Sequence, residues 1–321
     1  VLCYRPVRPV KLFSGSRTSL RIIRIPMNPA KPSHRLLPVA SLLLSATLWG
    51  IVWYPLRLLE HSGLAGAWSA LVSYAAALLA MLWVFVRQRR VLADNLPWLL
   101  LMALAAGWCN VSFIMAVLDG TVVRVLLLFY LSPFWAVCLG WLLLGERLDT
   151  RSMFVFIVAV CGAMVMLWDS SIGAPWPSGT ADWLAVSSGF AFALSNVFVR
   201  RMQHVTVVLK SGSSFFGVVV VAAGWIVLSH TAMPAVNPVV FGYAVLLALG
   251  AFLVMSLAVF SGVTHMPLHR SAVILLFELV VGAVSALLLT DEVVLTREWV
   301  GGGMIVLAAW VAAYIHAGEE P

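Results

Sequence analysis

Long apolar segments recur along almost the whole chain, and short polar gaps separate them. Each segment holds about 20 mainly apolar residues, the length that an α-helix needs to cross the hydrocarbon core of a bilayer. In lipid such a segment must be helical, because each unpaired backbone group there costs several kcal/mol. The sequence therefore predicts an all-α integral membrane protein with ten transmembrane helices, spans 1 to 10, over residues 36–58, 65–86, 96–117, 122–144, 151–168, 182–203, 206–229, 239–261, 269–289 and 297–316.

The longest gap, 169–181, contains two glycines and two prolines and divides the spans five and five. Glycine and proline of this kind are typical of loops. The chain is therefore predicted to consist of a basic N-terminal tail (1–35), a first five-helix unit (36–168), an extracytoplasmic linker (169–181), a second five-helix unit (182–316) and a C-terminal tail (317–321).

The composition excludes a soluble globular protein. Hydrophobic residues make up 62% of the 321 positions and charged residues only 10%. Soluble domains are about half apolar and about a quarter charged. Enzyme signatures such as a phosphate-binding loop, a zinc-protease motif or a nucleophile elbow are absent from the sequence. We therefore predict no enzymatic activity, no cofactor and no metal.

The basic residues indicate how the chain is oriented in the membrane. Of the 20 Lys and Arg residues, 17 fall on the side of the N-terminal tail, and only Arg57, Arg124 and Arg297 fall on the other. Basic loops stay in the cytoplasm, so both termini are predicted to be cytoplasmic in an inner (plasma) membrane. This distribution does not form a basic face for nucleic acid. Because Met27 lies just before span 1, residues 1–26 are interpreted as the product of a start site placed too early.

The two halves of the chain resemble each other at an offset of 146 residues. At this offset Arg124 falls on Arg270, Glu146 on Glu292, and span 1 on span 6. Because each unit has an odd number of spans, the second copy would enter the membrane from the opposite face. Such inverted repeats are typical of secondary transporters and enclose a site near the bilayer midplane.

Five short segments carry a resemblance to a known family. They are LWGIVW at 48–53, YLSPF at 130–134, LLLGERL at 142–148, LFEL at 276–279 and LLTDE at 288–292. Together they resemble EamA-type members of the drug/metabolite transporter superfamily, over roughly 36–316. The resemblance implies a ten-helix transporter of small metabolites, often an exporter, and identifies no substrate.

The second copy of the signature departs from the family pattern at two positions. Leu279 replaces the usual Pro, and Asp291 replaces Gly. The first departure leaves a kink in span 9 uncertain, whereas Pro133 predicts a kink in span 4, since proline removes a backbone donor.

Glu278 is the most informative candidate for transport, because it lies about ten residues from each end of span 9. A charged carboxylate at a helix centre costs about 2.5–3.5 kcal/mol on insertion scales, so it should face the bundle interior. Ser271, Gly282 and Ser285 are predicted to share its helix face. A carboxyl that is neutral in one conformation and ionised in the other could couple protons to substrate. The alternative is a structural carboxyl bonded to a neighbouring helix.

Trp49, Trp53 and Arg57 are spaced four residues apart and form one stripe along span 1. This stripe could hold an aromatic substrate, with Arg57 attracting an anionic group. The alternative is interface packing of the tryptophans and a guanidinium that reaches the headgroups. Arg124, near the outer end of span 4, is open to the same two interpretations.

Polar residues in spans 3, 4 and 6 complete the candidate substrate site. They are Asn110, Tyr130, Ser132, Ser195 and Asn196, and each needs a partner in another helix or in a wet cavity. Partly from these residues and partly from what the family resemblance implies, the central cavity is predicted to be formed by spans 1, 3, 4, 6, 8 and 9. The charged loop residues Glu146, Arg147, Asp149 and Arg151 are interpreted as helix-end contacts or a gate latch, and His265 and His269 as loop residues.

These features predict a secondary active transporter that moves a small organic metabolite or drug by alternating access. Export is favoured over import, proton coupling is one option, and a homo-oligomer is left open. The nearest alternative is an uncoupled facilitator of the same fold. A membrane-embedded lipid-modifying enzyme is the alternative from another class, and it would need clustered catalytic groups at one membrane face.

Overall fold

The computed structural model describes the chain between residues 36 and 319 with five short gaps. The described ranges are 36–64, 66–120, 122–146, 149–168, 177–289 and 295–319. The N-terminal tail with its proposed start, most of the linker, Arg147, and the pair Asp291 and Glu292 lie outside the described residues. The predictions made for them stay predictions.

Ten apolar helices long enough to cross a membrane are present in the described part of the chain, which confirms the predicted fold class. Their ends lie within four residues of those predicted from hydropathy. A short helix, Arg89–Asp94, was not predicted and connects spans 2 and 3. The spans are Leu37–His61, Gly66–Arg87, Leu96–Asp119, Val122–Leu144, Thr150–Leu167, Thr180–Arg201, Val207–Ser229, Pro238–His265, Leu268–Leu289 and Thr296–Glu319.

The surfaces of these helices are apolar, as expected for contact with lipid. Large side chains such as Leu228 and Val86 are 83% and 74% exposed, whereas alanines and serines fill much of the interior. At the start of some spans, a polar side chain accepts a hydrogen bond from a backbone amide of the first helical turn. Asp149 does so at span 5 and Thr206 at span 7. Such N-caps satisfy donors that the helix itself leaves unpaired.

Two spans are interrupted in the middle. Span 4 consists of helices Val122–Phe129 and Ser132–Leu139, followed by a π-helical turn to Leu144. Its break precedes Pro133, as predicted. Span 9 breaks at Leu276, between helices Leu268–Leu275 and Phe277–Leu289, although no proline is present there. Leu276 follows Tyr130, at the first break, by the same 146 residues as the sequence offset.

The helices of the two halves pack on each other in matching pairs. Span 3 packs on span 6 and span 8 on span 1, and span 4 packs on span 6 and span 9 on span 1. Spans 5 and 10 pack on each other. If each span of the first half is exchanged for the span five later, and the reverse, every one of these contacts becomes another contact of the same set or itself.

Glycines allow the closest helix approaches. Gly217 of span 7 lies against the Ala103 carbonyl of span 3, and Gly107 of span 3 lies against the Gly217 carbonyl. Gly301, from the glycine triplet of span 10, similarly meets Gly162 of span 5. Small residues let helix backbones approach closely in membranes, where packing rather than the hydrophobic effect drives association.

Replacing Gly217 by Ala should destabilise the protein, because the added Cβ would overlap the Ala103 carbonyl oxygen. Overpacking typically costs about 1–3 kcal/mol. The matched control is Gly224→Ala on the same span, where a Cβ would meet nothing within 4 Å. Thermal unfolding in detergent should show a lower midpoint for Gly217→Ala and an equal or higher one for the control. Equal midpoints for both variants would contradict this packing.

Candidate functional site

A cavity of about 150 Å³ lies between the helices of both halves. Eight spans contribute to its lining, which includes Trp49, Tyr74, Asn110, Tyr130, Ser195, Ser214, Ser256 and Glu278. Six of these spans were predicted, partly from their polar residues and partly from the family resemblance. Spans 2 and 7 were missed, because Tyr74 and Ser214 carry no sequence signal that separates them from ordinary helix contacts.

The breaks in spans 4 and 9 both lie at this cavity. Tyr130 and Ser132 flank the first break, and Leu276 and Glu278 flank the second. Because Pro133 has no amide proton, the helical carbonyl four residues before it loses its usual donor. That carbonyl, of Phe129, lies against Gly189 of span 6, while the side chains of Tyr130 and Ser132 line the cavity.

Glu278 is half-buried and bonded across the cavity to the other half of the chain. The Tyr130 hydroxyl donates a hydrogen bond to its carboxylate. At the offset of 146 residues, the position equivalent to Glu278 in the first half is Ser132, which also lines the cavity. The two halves therefore contribute corresponding positions, but only the second half contributes a charge.

The predicted face around Glu278 is divided between two environments. Ser271 lines the cavity with it. In contrast, Gly282 lies near the Gly50 carbonyl of span 1, and the Ser285 hydroxyl donates to that carbonyl at 3.0 Å. Because span 9 is interrupted at Leu276, Ser271 belongs to a separate helix from Gly282 and Ser285.

Aromatic side chains form two clusters at the cavity. In spans 1, 2 and 8, Phe252 stacks on Trp49 and on Tyr74, with ring centroids 6.1 and 5.1 Å apart. In spans 3, 4 and 6, Phe129 contacts Phe113, Tyr130 and Phe192. All of these rings except Phe252 line the cavity directly.

The two candidate asparagines differ in how their amides are used. The Asn110 oxygen accepts from the Tyr74 hydroxyl at 2.7 Å, and its nitrogen donates to the Ala106 carbonyl at 2.9 Å. No protein hydrogen bond is found for the Asn196 amide among the described residues, although it lines the same cavity. Asn110 therefore joins spans 2 and 3, whereas Asn196 has its amide available for a ligand.

Three sequence candidates lie away from the cavity lining. Trp53 donates to the Ser285 hydroxyl at 2.9 Å, and the exposed Arg57 lies over the Trp53 ring at 5.0 Å. Arg124 forms an ion pair of 2.9 Å with Asp182 at the start of span 6. Of the stripe on span 1, only Trp49 reaches the cavity, because Trp53 is turned toward span 9.

Span 4 is bonded to span 6 at both of its ends. Besides the Arg124–Asp182 pair, Glu146 pairs with Arg200 at 3.1 Å. The Glu146–Arg200 pair is also bonded to spans 8 and 9. Glu146 accepts from the Leu268 amide at 2.8 Å, and Arg200 donates to the Thr264 carbonyl at 2.7 Å. We call these contacts of Glu146 and Arg200 the inner latch.

A buried lysine lies beside the inner latch, in the first turn of span 7. Lys210 has no exposed surface, and its amine donates to Thr264 Oγ1 at 2.6 Å and to the carbonyls of Val199 and Met202. These carbonyls end span 6, where the helix dipole favours a cation. The hydropathy profile missed this burial because it does not show which way a helix-end side chain points.

Two histidines also differ from their predicted loop positions. His265 is the last residue of span 8, and His269 lies in the first turn of span 9. Only Met266 and Pro267 separate the two helices. The loop prediction was wrong because span 8 extends four residues beyond its predicted end and span 9 begins at Leu268, so that both histidines are helical.

Comparison with known proteins agrees with this fold. Residues 36–168 match the model of the EamA-like transporter family. No curated protein matches the sequence. A solved structure described as "Crystal structure of protein" is similar with a TM-score of 0.67, covering 89% of this chain and 99% of its own, at 17% identity. That similarity concerns the fold. The sequence resemblance is thus confirmed for the first five spans, and its extension to residue 316 stays a prediction.

Breaking the inner latch should open the cavity at that end. Arg200→Gln removes contacts with both Glu146 and Thr264, and bonds to charged groups are worth about 1.5–3 kcal/mol. Cys109, which lines the cavity, can report the change by its rate of maleimide labelling after the other cysteines are replaced by serine. We expect labelling to be faster by about tenfold.

The control for this experiment is Asp182→Asn, which breaks the ion pair at the opposite end. That pair joins only spans 4 and 6, which already pack on each other. Its loss should therefore leave Cys109 labelling near the wild-type rate. Equal rates in wild type and Arg200→Gln would show that the latch does not close the cavity.

Proposed function

We propose that this chain, whose residues 36–168 match the EamA-like transporter family, is a secondary active transporter that exports a small organic molecule by alternating access. The family match supports a membrane transporter of the drug/metabolite superfamily. The observation that carries the finer proposal is a single carboxyl, Glu278, at a helix break inside a cavity built from both halves.

The same observation supports proton coupling. An ionised carboxylate in a mostly apolar cavity needs compensation by hydrogen bonds, an ion partner or water. The Tyr130 hydroxyl offers one bond, and no ion pair to Glu278 occurs among the described residues. A proton or a bound substrate can therefore compensate the charge in turn. If each occupies Glu278 only when the other has left, movement of one across the membrane drives movement of the other.

Alternating access is proposed to follow from two inverted five-helix repeats. The matching helix pairs and the two breaks 146 residues apart support this arrangement. The excess of basic residues favours cytoplasmic termini and a location in the inner membrane, although Lys210 and Arg270 prove to be buried. In that orientation the inner latch lies on the cytoplasmic side, and its release would open the cavity to the cytoplasm.

Glu278→Gln should abolish uphill transport, because the amide cannot exchange a proton in this way. A resistance screen with varied toxic compounds, in cells expressing wild type or variant, identifies a transported compound. Uptake of that compound into proteoliposomes is then measured with and without an imposed proton gradient. The control Glu60→Gln removes an exposed carboxyl at the end of span 1 and should behave as wild type.

Two results would contradict parts of the proposal. Full gradient-driven transport by Glu278→Gln would exclude this carboxyl as the coupling site. Transport by wild type that does not respond to the gradient would instead identify an uncoupled facilitator.

A further inference from the structure

The ionisable side chains that line the cavity in the described part of the chain are all acids, and none is a base. Of its lining residues in the described ranges, Glu278 is the only carboxyl, and none is Lys, Arg or His. The other titratable lining groups are Tyr74, Cys109 and Tyr130, which are neutral acids at ordinary pH. When Glu278 is ionised, a ligand in this cavity therefore meets negative charge, and no lining residue that the structure describes supplies positive charge.

The basic side chains near the bundle interior have partners elsewhere. Arg124 pairs with Asp182, and Arg200 pairs with Glu146. Lys210 is bonded to backbone carbonyls and Thr264. His269 and Arg270 are buried in span 9, but neither belongs to the cavity lining. Arg57, which the sequence offered as an anchor for an anionic substrate, lies exposed on Trp53. An anion in the cavity would have no counter-charge.

The aromatic lining favours a cation in the same place. Ring faces carry negative potential and attract ammonium groups, most strongly where water is excluded. Tyr130 contacts both Glu278 and the Phe129 cluster, so the carboxylate and the rings lie side by side. Two neutral polar groups are added by the Asn196 amide and by the buried Ser271 hydroxyl, for which the described part of the chain supplies no hydrogen-bond partner.

The size of the cavity limits the ligand. An engineered cavity of about 150 Å³ binds benzene, and the present cavity has a similar volume. A small ligand with a single six-membered ring therefore suits the size of this cavity.

We propose that the cavity binds small monovalent organic cations, with the ammonium on the Glu278 carboxylate and the apolar body against the aromatic clusters. This assignment deepens the proposed transport function and rests on it. It replaces the anionic substrate that Arg57 would have favoured. The assignment does not depend on proton coupling, because an uncoupled facilitator could also bind cations selectively.

The test is a charge series with one ring and one chain length. Calorimetric titration of the full chain in detergent, with empty micelles as the blank, compares phenethylammonium, 2-phenylethanol and 3-phenylpropanoate. We expect phenethylammonium to bind more tightly than the neutral alcohol by about tenfold or more, and 3-phenylpropanoate to bind weakest. Equal binding of the three, tightest binding of the anion, or binding of none would overturn the assignment.

Variants locate the binding and need no transport. Glu278→Gln should reduce the preference for phenethylammonium over 2-phenylethanol to near unity, while Glu60→Gln keeps it. Trp49→Leu, which removes one ring face, should weaken phenethylammonium binding without reversing the preference. An unchanged preference in Glu278→Gln would overturn the role of that carboxyl. Cation-selective binding together with absent transport would reject the proposed function and retain the site.

Discussion

The burial of one carboxyl among helices that lie in lipid is the constraint to which the rest of the structure responds. A charged group at this depth is tolerated only where it faces the bundle interior and finds polar partners. Glu278 meets both conditions, because span 9 breaks beside it and Tyr130 from span 4 donates to it. Span 4 breaks at Tyr130 as well. These two helix breaks thus occur where the backbone lines a cavity, which is where a membrane protein can accommodate them.

The packing around the cavity separates parts that are fixed from parts that can move. Spans 4 and 6 are joined by ion pairs at both ends, and spans 1 and 9 are joined through Ser285, Trp53 and the Gly50 carbonyl. At one end, the inner latch additionally joins these two groups. A transition that releases the latch could then move each group as a body, which is the kind of motion that alternating access requires.

Much of the fold was predictable from the sequence, because the bilayer sets the length and polarity of each span. The break before Pro133 was predictable for a similar reason, since proline cannot donate a helical hydrogen bond. The break at Leu276 was not, as neither proline nor glycine marks it. Six of the residues that were expected at a site do line the cavity, namely Glu278, Trp49, Asn110, Tyr130, Ser132 and Asn196. The sequence could not predict the side-chain positions of four other residues, because packing decides where they point. These residues are Trp53, Arg57, Arg124 and Lys210.

Infrared difference spectroscopy tests most directly whether Glu278 is a titrating carboxyl in a hydrated cavity. Spectra of the purified wild type and of Glu278→Gln are compared across a pH titration in ordinary and in heavy water. A protonated-carboxyl band that disappears as the pH rises, shifts on deuteration and is missing from the variant is the predicted result. A carboxyl band identical in both proteins, or one in the wild type that neither titrates nor exchanges, would contradict the account.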